Sequence, residues 1–419
     1  MSARRIGGIE NLIYNNRDSR FPARQCPACH CEARAGRQSM AGGRGNDNKK
    51  MKNILFINSE SDLTVLTAFF KELTNNNYSL FFLSHQKNGI EDFDNFKKLN
   101  LSKLKKYIFF VLLPFLFMYF FFYLAYCKYK KKIHLLVCFD YRERIIFSPL
   151  AKIFKINNIW FELPGKNYKK SKKIIKLSRF FSRKTKIAVF SDLTTQELQK
   201  IGIKNDKIKK LSPGIKLRSQ SHQENIFSKI AETNKANHLK KFFTVGTVAN
   251  LENKQKIELL FQAIKKCLSV MPHLQLIIVG EGKERKNLAW LAKKIEIDNL
   301  VWFVGEQTFL KKWLEDFDIY TIVCENPSLN DINITIEAAS CGLPIISPDN
   351  IGFDELVFQN KNGIIFEANS NEMLAQEIIK LYKDKMQRKN LGQNGKTMVD
   401  NSYTIDKMTK SFLSVIEII

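Results

Sequence analysis

Short aliphatic runs alternate with longer helical segments along this chain, and that alternation limits the fold more than any other feature. A first series contains ILFIN, SLFFLS, IHLLVCF, NIWFEL and KIAVFS, and a second contains FFTVGTVANL, LQLIIVGEG, VWFVGE, IYTIV and PIISP. Such runs are typical of parallel strands buried on both faces. Two successive series predict an α/β protein with two Rossmann-like, doubly wound domains that face each other across a cleft.

A polar stretch separates the two series and marks a domain boundary. Residues 219–239, SQSHQENIFSKIAETNKANHL, interrupt the alternation of strands and helices. We therefore predict an N-terminal domain over 51–218, a linker over 219–239, a C-terminal domain over 240–404 and a final helix over 405–419.

The first 50 residues differ in composition from the rest of the chain. They hold eight Arg, from Arg4 to Arg44, whereas the other 369 residues hold only seven. Met51 then begins MKNILFIN, a Lys followed by a buried-strand pattern, as many α/β enzymes do. We predict that residues 1–50 are a disordered extension outside the fold.

The extension contains CPACHC, in which Cys26, Cys29 and His30 have the spacing of a c-type haem attachment site, and Cys31 could complete a partial metal site. We favour the opposite interpretation, that the motif binds nothing, because no second Cys pair follows and no secretory signal precedes it. The remaining five Cys stand in apolar surroundings, as reduced core thiols of cytosolic proteins do: Cys127, Cys138, Cys267, Cys324 and Cys341.

Residues 107–126, YIFFVLLPFLFMYFFFYLAY, form an uncharged segment of 20 residues, which is long enough to cross a bilayer. Lys103, Lys105 and Lys106 precede it and a Lys-rich stretch over 128–132 follows it, so its flanks give no asymmetry that would set an orientation. Three interpretations stay open: a helix docked on the membrane surface, a buried core helix and a spanning helix. We favour docking, with the Lys flanks meeting anionic headgroups.

The formal net charge of +26 favours an anionic partner, which is a phosphate-bearing substrate, an anionic membrane or nucleic acid. Nucleic acid is the weakest of the three, because the positive charge flanks the hydrophobic segment instead of alternating with exposed aromatic residues on a sheet. We predict that the protein binds no nucleic acid.

Gly-rich turns follow several predicted strands of the second series. Gly246 is expected to start the loop TVANLENKQK, whose Lys254 and Lys256 stand near a predicted helix start. Backbone N–H groups, a helix dipole and ammonium groups can hold a diphosphate there, although a basic surface turn is an equal alternative. The turn Gly280-Glu281-Gly282 and Gly305 occupy the same position after the next two strands, where open α/β sheets bind ligands.

The stretch LNDINITIEAASCGLPIIS holds a single carboxylate, Glu337, before small residues, and Gly342 and Pro344 then end the helix. Glu337 is expected at the start of that helix, where an acidic side chain can bond the hydroxyl groups of a ribose. The alternative is a carboxylate favoured only by the dipole at a helix N-terminus.

Six blocks of the second series follow one another in a recognisable order: VGTVANL, LIIVGEGKERKNL, VWFVGE, DIYTIV, EAASCGLPIIS and ELVFQNKNGIIF. They resemble the retaining glycosyltransferases of family 4, also called group 1, which have the GT-B fold. IAVFSDLTTQELQKIGI and LSPGI resemble the segment that closes the N-terminal domain of that family. The resemblance covers nearly all of residues 51–419 and is densest over 242–367.

The resemblance implies an enzyme of the hexosyltransferase type that moves a sugar from a nucleotide-sugar to an acceptor with retention of configuration and without a metal or other cofactor. The aromatic segment 107–126 and its Lys-rich flanks add the expectation of a glycan or lipid-linked acceptor, in the synthesis of cell-envelope polysaccharide or lipopolysaccharide. We predict a cytoplasmic protein peripherally associated with the inner face of the cell membrane. The alternative is a degenerate member that binds sugar nucleotide or membrane without transfer.

The resemblance also suggests roles for two carboxylates. The family has two glutamates separated by seven residues, of which the first faces the donor sugar and the second holds the ribose. Glu337 stands at the second position, but Leu329 stands at the first. Asp331 is therefore our candidate for the first, catalytic role, with Glu325 as a second choice and a turn or helix-capping role as its alternative.

Other positions depart from the family pattern. Asn250 stands where the family has a phosphate-facing Arg, and the family's Lys falls near Gln255, between Lys254 and Lys256. We predict a donor site built from Gly246, Asn250, Lys254, Lys256, Gly280, Glu281, Gly282, Gly305 and Glu337, with Glu281 as a loop carboxylate beside the nucleotide. On the acceptor side, the usual His-Gly is replaced by Leu163-Pro164-Gly165, and we predict acceptor contacts at Ser59, Glu162 and Gly165.

Overall fold

The computed structural model describes residues 52–99, 101, 104–165, 185–200, 202–216, 242–252, 254–307, 309–324, 327–349 and 352–417. The predicted extension with its CPACHC motif, the predicted linker and Glu325 all lie outside the described residues. The chain divides into one unit over Met1–Lys49 and a second over Lys50–Ile419. Everything below concerns the second unit.

The first sheet has seven strands among the described residues, in the order β3-β2-β1-β4-β5-β6-β7, and all neighbouring strands are parallel. The strands are β1 Lys52–Asn58, β2 Tyr78–Ser84, β3 Phe96–Lys98, β4 Ile133–Cys138, β5 Asn157–Glu162, β6 Thr185–Val189 and β7 Ile208–Lys210. The helices of this half are α1 Thr67–Asn75, α2 Lys106–Tyr129, α3 Tyr141–Ile153 and α4 Asp192–Lys200.

The second sheet has six described strands in the order β10-β9-β8-β11-β12-β13, again all parallel. The strands are β8 Phe243–Val248, β9 Leu274–Val279, β10 Val301–Gly305, β11 Ile319–Thr321, β12 Ile345–Pro348 and β13 Gly363–Phe366. The remaining helices are α5 Lys254–Cys267, α6 Arg285–Lys294, α7 Leu310–Leu314, α8 Leu329–Ser340, α9 Asn371–Lys383, α10 Lys385–Ser402 and α11 Ile405–Glu417.

The predicted fold class, α/β with two doubly wound parallel sheets, is confirmed. Each sheet has a hydrophobic cluster on both faces, as buried parallel sheets require. Every apolar run that predicted a strand contains one, whereas β3, β7 and β13 fall outside those runs.

The last helix, α11, packs on the first sheet although it follows the second in sequence. Its Phe412 ring lies 5.2 Å from the ring of Phe69 and 6.0 Å from that of Phe161, measured between centroids. The segment that returns to the first half lies beside the segment that leaves it. Ile215 N donates to Tyr403 O at 3.0 Å, and Ile405 N donates to Ile215 O at 3.0 Å. The two halves are therefore joined at neighbouring positions.

An ion-pair cluster links the two halves at a second place. Lys210 of β7 contacts Asp192 at 2.7 Å and also pairs with Glu355, which belongs to the second half. Burial opposes the charge on Lys210, but hydrogen bonds to Asp192 and Glu355 outweigh it and raise the Lys210 pKa. The ammonium therefore stays charged at neutral pH, when both carboxylates attract it.

Helix α2 is longer than the predicted 107–126 and lies along the first sheet. It connects β3 to β4, which run parallel in the same sheet, so it is the returning helix of a crossover. Phe109, Phe120, Leu124 and Cys127 are buried against the domain. Only 17% of the residues in its most apolar stretch are buried, so most of the helix surface is not covered by the described part of the chain.

Candidate functional site

The order of the strands in the second sheet reverses between β8 and β11. From β8 the chain proceeds to β9 and β10 on one side, and then continues with β11, β12 and β13 on the other. At such a reversal the loops diverge and leave a crevice at the carboxyl ends of the strands, which is where open α/β sheets bind ligands. The site is therefore expected between the loop after β8 and the segments that follow β11.

The loop after β8 is fastened to the turn after β9 by backbone hydrogen bonds. Leu251 N donates to Glu281 O at 2.9 Å, and Glu284 N donates to Leu251 O at 2.9 Å. A Cβ on Gly280 would lie 2.1 Å from Ala249 O, and one on Gly282 would lie 2.3 Å from Leu251 C. These two glycines are needed because the loops approach each other closely, and they thereby fix the wall of the crevice.

Gly246 does not start the loop, so that prediction is wrong. It lies inside β8 and pairs with Ile277 and Tyr320 on either side. A Cβ at this position would fall 1.9 Å from the ring of Phe317. Gly246 leaves room for that ring, and the loop begins at Ala249.

The two predicted cations occupy different surroundings. Lys254 is the first residue of α5, its side chain is 54% exposed, and it lies 3.6 Å from Glu258 of the same helix. Lys256 donates to Asn369 Oδ1 at 2.6 Å. Lys256 also lines a small cavity together with side chains at the carboxyl ends of β11, β12 and β13, among them Cys324. Among the described residues that line this cavity, Lys256 is thus the cation, whereas Lys254 and Asn250 are exposed.

Glu281 and Gly305 meet beside the crevice. Glu281 forms an ion pair with Arg285, whose other nitrogen donates to Phe303 O at 3.1 Å. A Cβ on Gly305 would lie 3.0 Å from Glu281 Oε1. The carboxylate is therefore held in a loop by a cation of its own, which is compatible with the predicted loop role.

Asp331 caps the helix that carries Glu337. Asp331 Oδ2 accepts from Ser328 N at 2.8 Å and from Ser328 Oγ at 2.7 Å, while Asp331 N donates to Ser328 Oγ at 3.3 Å. This capping box satisfies free donors at the start of α8. The capping alternative is thus realised in the structure, and the catalytic role of Asp331 stays a prediction.

Glu337 lies near the C-terminal end of α8, so the expectation that it starts the helix is wrong. Its backbone oxygen accepts from Cys341 N at 3.1 Å and from Ser340 Oγ at 2.7 Å, as in a final helical turn. A carboxylate is disfavoured by the dipole at a helix C-terminus. Stabilisation by the dipole at a helix N-terminus therefore cannot explain Glu337. A half-buried Glu at the C-terminal end of a helix favours a role other than stabilising that helix.

The thiols near these carboxylates are protonated at neutral pH. Burial first, and then the negative charge of Asp331, raise the pKa of Cys324. Burial, followed by Glu315 and Glu337, raises the pKa of Cys341 to about 11. A thiol with so high a pKa is a poor nucleophile, so these cysteines serve as lining and not as attacking groups.

On the predicted acceptor side, the loop after β1 is organised by a residue that the sequence analysis missed. Asp140 Oδ2 accepts from Ser59 N at 3.2 Å and from Glu60 N at 2.9 Å, and Asp140 Oδ1 accepts from Ser61 Oγ at 3.0 Å. The Ser59 hydroxyl oxygen is buried without a hydrogen-bond partner in the described part of the chain. Asp140 comes directly after the run IHLLVCF, and the same carboxyl-end rule would have singled it out.

Glu162 is only 1% exposed and forms an ion pair with the equally buried Arg144. Arg144 also donates to Phe139 O at 3.0 Å and to Phe161 O at 3.3 Å. In this structure Glu162 therefore supports the end of β5 from inside the domain. Its predicted contact with an acceptor would require the side chain to leave that pair.

Gly165 brings the two halves of the predicted site together. It has φ of +83°, and a Cβ there would lie 3.3 Å from both Pro327 O and Ser328 Cα. Ser328 is the residue that caps α8, so the end of the acceptor-side segment touches the start of the helix that carries Asp331 and Glu337. The predicted site thus lies where the domain of the first sheet meets the domain of the second.

The sequence of the second half matches a known family. Residues 228–398 match the family model described as Glycosyl transferases group 1. That range contains all strands of the second sheet and the crevice at their carboxyl ends.

Curated relatives match over the same region. The N-acetyl-alpha-D-glucosaminyl L-malate synthase of Bacillus anthracis is 23% identical over 168 residues, which cover 40% of this chain and 43% of that protein. The lipopolysaccharide core biosynthesis glycosyltransferase LpsE of Rhizobium meliloti is 22% identical over 156 residues, which cover 37% of this chain and 45% of that protein. The chain thus spans less than half the length of these two relatives.

The likeness to solved structures extends over both sheets. HepE of Anabaena, solved in complex with UDP, superimposes with a TM-score of 0.69 at 14% sequence identity, covering 88% of this chain and 100% of that chain. At this identity the likeness shows the fold alone. The fold is therefore GT-B, and residues 228–398, in the second half of the chain, are similar in sequence to the group 1 glycosyl transferases.

Proposed function

We propose that the protein transfers a sugar from a nucleotide-sugar to an acceptor, and that the crevice at the reversal point of the second sheet holds the donor. The position of Lys256 in that crevice, within the range that matches the family, carries the proposal. The Anabaena structures with UDP and with UDP and glucose favour a uridine diphosphate sugar as the first donor to try.

Each named residue has a distinct task in this proposal. The Lys256 ammonium and the N-terminus of α5 stabilise the negative charge of the diphosphate as it leaves, and no metal is required for this. Glu337 accepts hydrogen bonds from the ribose, and Asp331 faces the donor sugar. The bond between the anomeric carbon and the diphosphate oxygen breaks, and its electron pair leaves with the diphosphate. The acceptor oxygen bonds to the same face of the sugar and gives its proton to the leaving diphosphate, so the configuration is retained.

The first test is donor binding to the full-length chain. A nucleotide-sugar that binds only the folded protein increases its free energy of unfolding, by about 2.7 kcal/mol at a ligand concentration of 100 Kd. The melting temperature rises as a result. A screen of nucleotide-sugars by thermal shift should therefore identify the donor. Transfer is then measured as release of nucleoside diphosphate, and binding without release would support the degenerate alternative.

Two neighbouring lysines allow a matched comparison. Lys256→Gln should weaken binding of the identified nucleotide-sugar by about tenfold, because the neutral amide loses the attraction to the diphosphate. Lys254→Gln makes the same charge change on the exposed side of α5 and should alter Kd by less than about threefold. Isothermal titration calorimetry on both variants measures the two values. A larger effect at Lys254 would show that the diphosphate lies outside the crevice.

The acceptor is proposed to be a lipid-linked glycan at an anionic membrane surface. Six large apolar side chains form an exposed stripe at helical spacing on α2: Val111, Phe115, Met118, Phe122, Tyr126 and Tyr129. Exposed apolar patches of this kind mark membrane or protein interaction sites. Lysines flank the helix, and the Rhizobium meliloti relative is named for lipopolysaccharide core synthesis. These observations support our proposal that the protein acts on the cytoplasmic face of the cell membrane, in cell-envelope polysaccharide or lipopolysaccharide synthesis.

Membrane docking predicts a measurable change on removing part of the stripe. The protein should sediment with anionic liposomes and be released by high salt together with mild detergent. Phe115→Ser combined with Phe122→Ser should lower partitioning by about tenfold or more, because two buried aromatic side chains are lost from the membrane. Trp290→Ser, which removes an aromatic side chain with 64% exposure on α6, should have no effect. Extraction only by dissolving the bilayer would instead indicate a spanning helix.

A further inference from the structure

Two cavities lie between α2 and the edge of the first sheet. The larger has a volume of about 440 Å³ and is lined by residues of β2, β3 and α2 and by Lys131. The smaller has a volume of about 200 Å³. Lys97 and Tyr123 line both, so the two cavities adjoin at these side chains. Neither is lined by a residue assigned above to the donor or the acceptor.

The larger cavity has two cations at its wall. Lys97 Nζ lies 4.5 Å from the centroid of the Tyr123 ring, and Lys131 Nζ lies 4.6 Å from that of Phe81. Neither ammonium forms an ion pair with a carboxylate in the described part of the chain. Cation–π contacts position the two groups at the wall, where they can attract an anion.

The same cavity also offers groups for neutral polar atoms. Asp94 and Asn95 line it and are exposed. The Asp94 carboxylate opposes an anion in its own vicinity, but it accepts hydrogen bonds from hydroxyl groups. The wall is therefore suited to a phosphate at the two lysines with a hydroxylated substituent beside Asp94.

The smaller cavity is lined differently. Besides Lys97 and Lys98, five leucines contribute to it, namely Leu83, Leu99, Leu101, Leu104 and Leu116, together with rings of α2. An aliphatic lining of this kind favours a hydrocarbon chain over a polar ligand. A phosphate site and a hydrocarbon site thus adjoin at Lys97 and Tyr123.

We propose that these two cavities together bind one anionic phospholipid molecule drawn from the membrane, with its phosphate between Lys97 and Lys131 and an acyl chain along the leucines. The openings lie at the surface that the proposed function assigns to the membrane, because Tyr119 and Tyr126 line the cavities and are also more than half exposed on α2. This inference goes beyond sugar transfer, since it assigns a lipid site with its own residues.

The test uses dihexanoyl-phosphatidylglycerol below its micelle concentration and the full-length protein, by isothermal titration calorimetry. Monomeric lipid should bind saturably with a stoichiometry of one. Lys97→Gln combined with Lys131→Gln should weaken binding at least about tenfold. Lys128→Gln combined with Lys130→Gln removes two charges from the same flank, outside both cavities, and should change Kd by less than about threefold.

Two further ligands distinguish a lipid site from a phosphate site. Glycerol 3-phosphate, which has the head but no acyl chains, should bind at least about tenfold more weakly than the lipid. Dihexanoyl-phosphatidylcholine should also bind more weakly, because its headgroup carries no net charge. Melting temperatures of both double variants check that they are folded, and nucleotide-sugar binding should be unchanged in both.

Three results would overturn the proposal. Equal weakening in the two double variants would mean general attraction of the lysine-rich flank. Equal affinity for glycerol 3-phosphate would mean a site for soluble phosphates. Absence of saturable binding by monomeric lipid would mean that the cavities do not hold a phospholipid. Since all readouts are binding measurements, they do not depend on whether the protein transfers sugar.

Discussion

Replacing Arg144 with methionine should lower the free energy of unfolding by about 3–5 kcal/mol, because the buried carboxyl group of Glu162 would lose the cation with which it pairs. Both side chains of the pair are 1% exposed, so water cannot take over the role of the guanidinium. Arg144 also donates to Phe139 O, and that acceptor would lose one of its donors. Urea denaturation of the two proteins measures the difference.

A double variant separates the charge from the packing. Arg144→Met combined with Glu162→Gln removes both charges and should recover a large part of the loss, since paired charges can often be replaced together at little cost. Lys71→Met serves as a control, because the ion pair of Lys71 with Asp92, at 2.6 Å, is exposed to solvent. A loss below about 1 kcal/mol for Arg144→Met would show that the interior around Glu162 is reached by water.

Glu337→Gln should weaken nucleotide-sugar binding by about 1–3 kcal/mol, because a charge-assisted hydrogen bond to the ribose becomes a neutral one. The fold should not suffer, since the charge lies at the unfavourable end of the α8 dipole. Donor affinity by calorimetry and melting temperature without donor are the two measurements. A lower melting temperature with unchanged affinity would make Glu337 a structural residue only.

Asp331→Asn is the companion variant, and its effects should fall on a different quantity. The side-chain oxygen of Asn can still accept from Ser328 N, so the cost in stability should stay below about 1 kcal/mol. If Asp331 faces the donor sugar, turnover falls while donor affinity is nearly unchanged, because the contact strengthens mainly in the transition state. An unchanged rate, together with loss of rate in Glu325→Gln, would move the sugar-facing role to Glu325.

Most strands could be predicted from the sequence because each is a continuous apolar run. A strand that is buried on both faces needs apolar residues at successive positions, and this requirement does not depend on which segments cover it. β3, with the sequence FKK, could not, since an edge strand with two lysines has no such pattern. Gly246 shows the same limit within the site. Its role depends on the Phe317 ring, which follows far along the chain, and only the folded structure brings the two together.

The site carboxylates show why residue type alone is not enough. Glu162 ends an apolar strand and was expected to face an acceptor, but the buried Arg144 from α3 holds it inside the domain. Asp140 was not among the predicted site residues, although it follows a strand directly. Its carboxylate accepts three hydrogen bonds from one loop and so holds that loop in place. In both cases the partner lies in another segment of the chain, so spacing along the sequence contains no sign of it.

The return of α11 to the first sheet has a consequence for how the protein is made on the ribosome. Ile405, Met408, Phe412 and Val415 complete a cluster whose other members come mainly from the first half of the chain. At about 5–20 residues per second, the first half must wait tens of seconds for these residues to be synthesised. During that interval Phe69 and Phe161 lack the ring that covers them, so the nascent chain is expected to need a chaperone or early contact with the membrane.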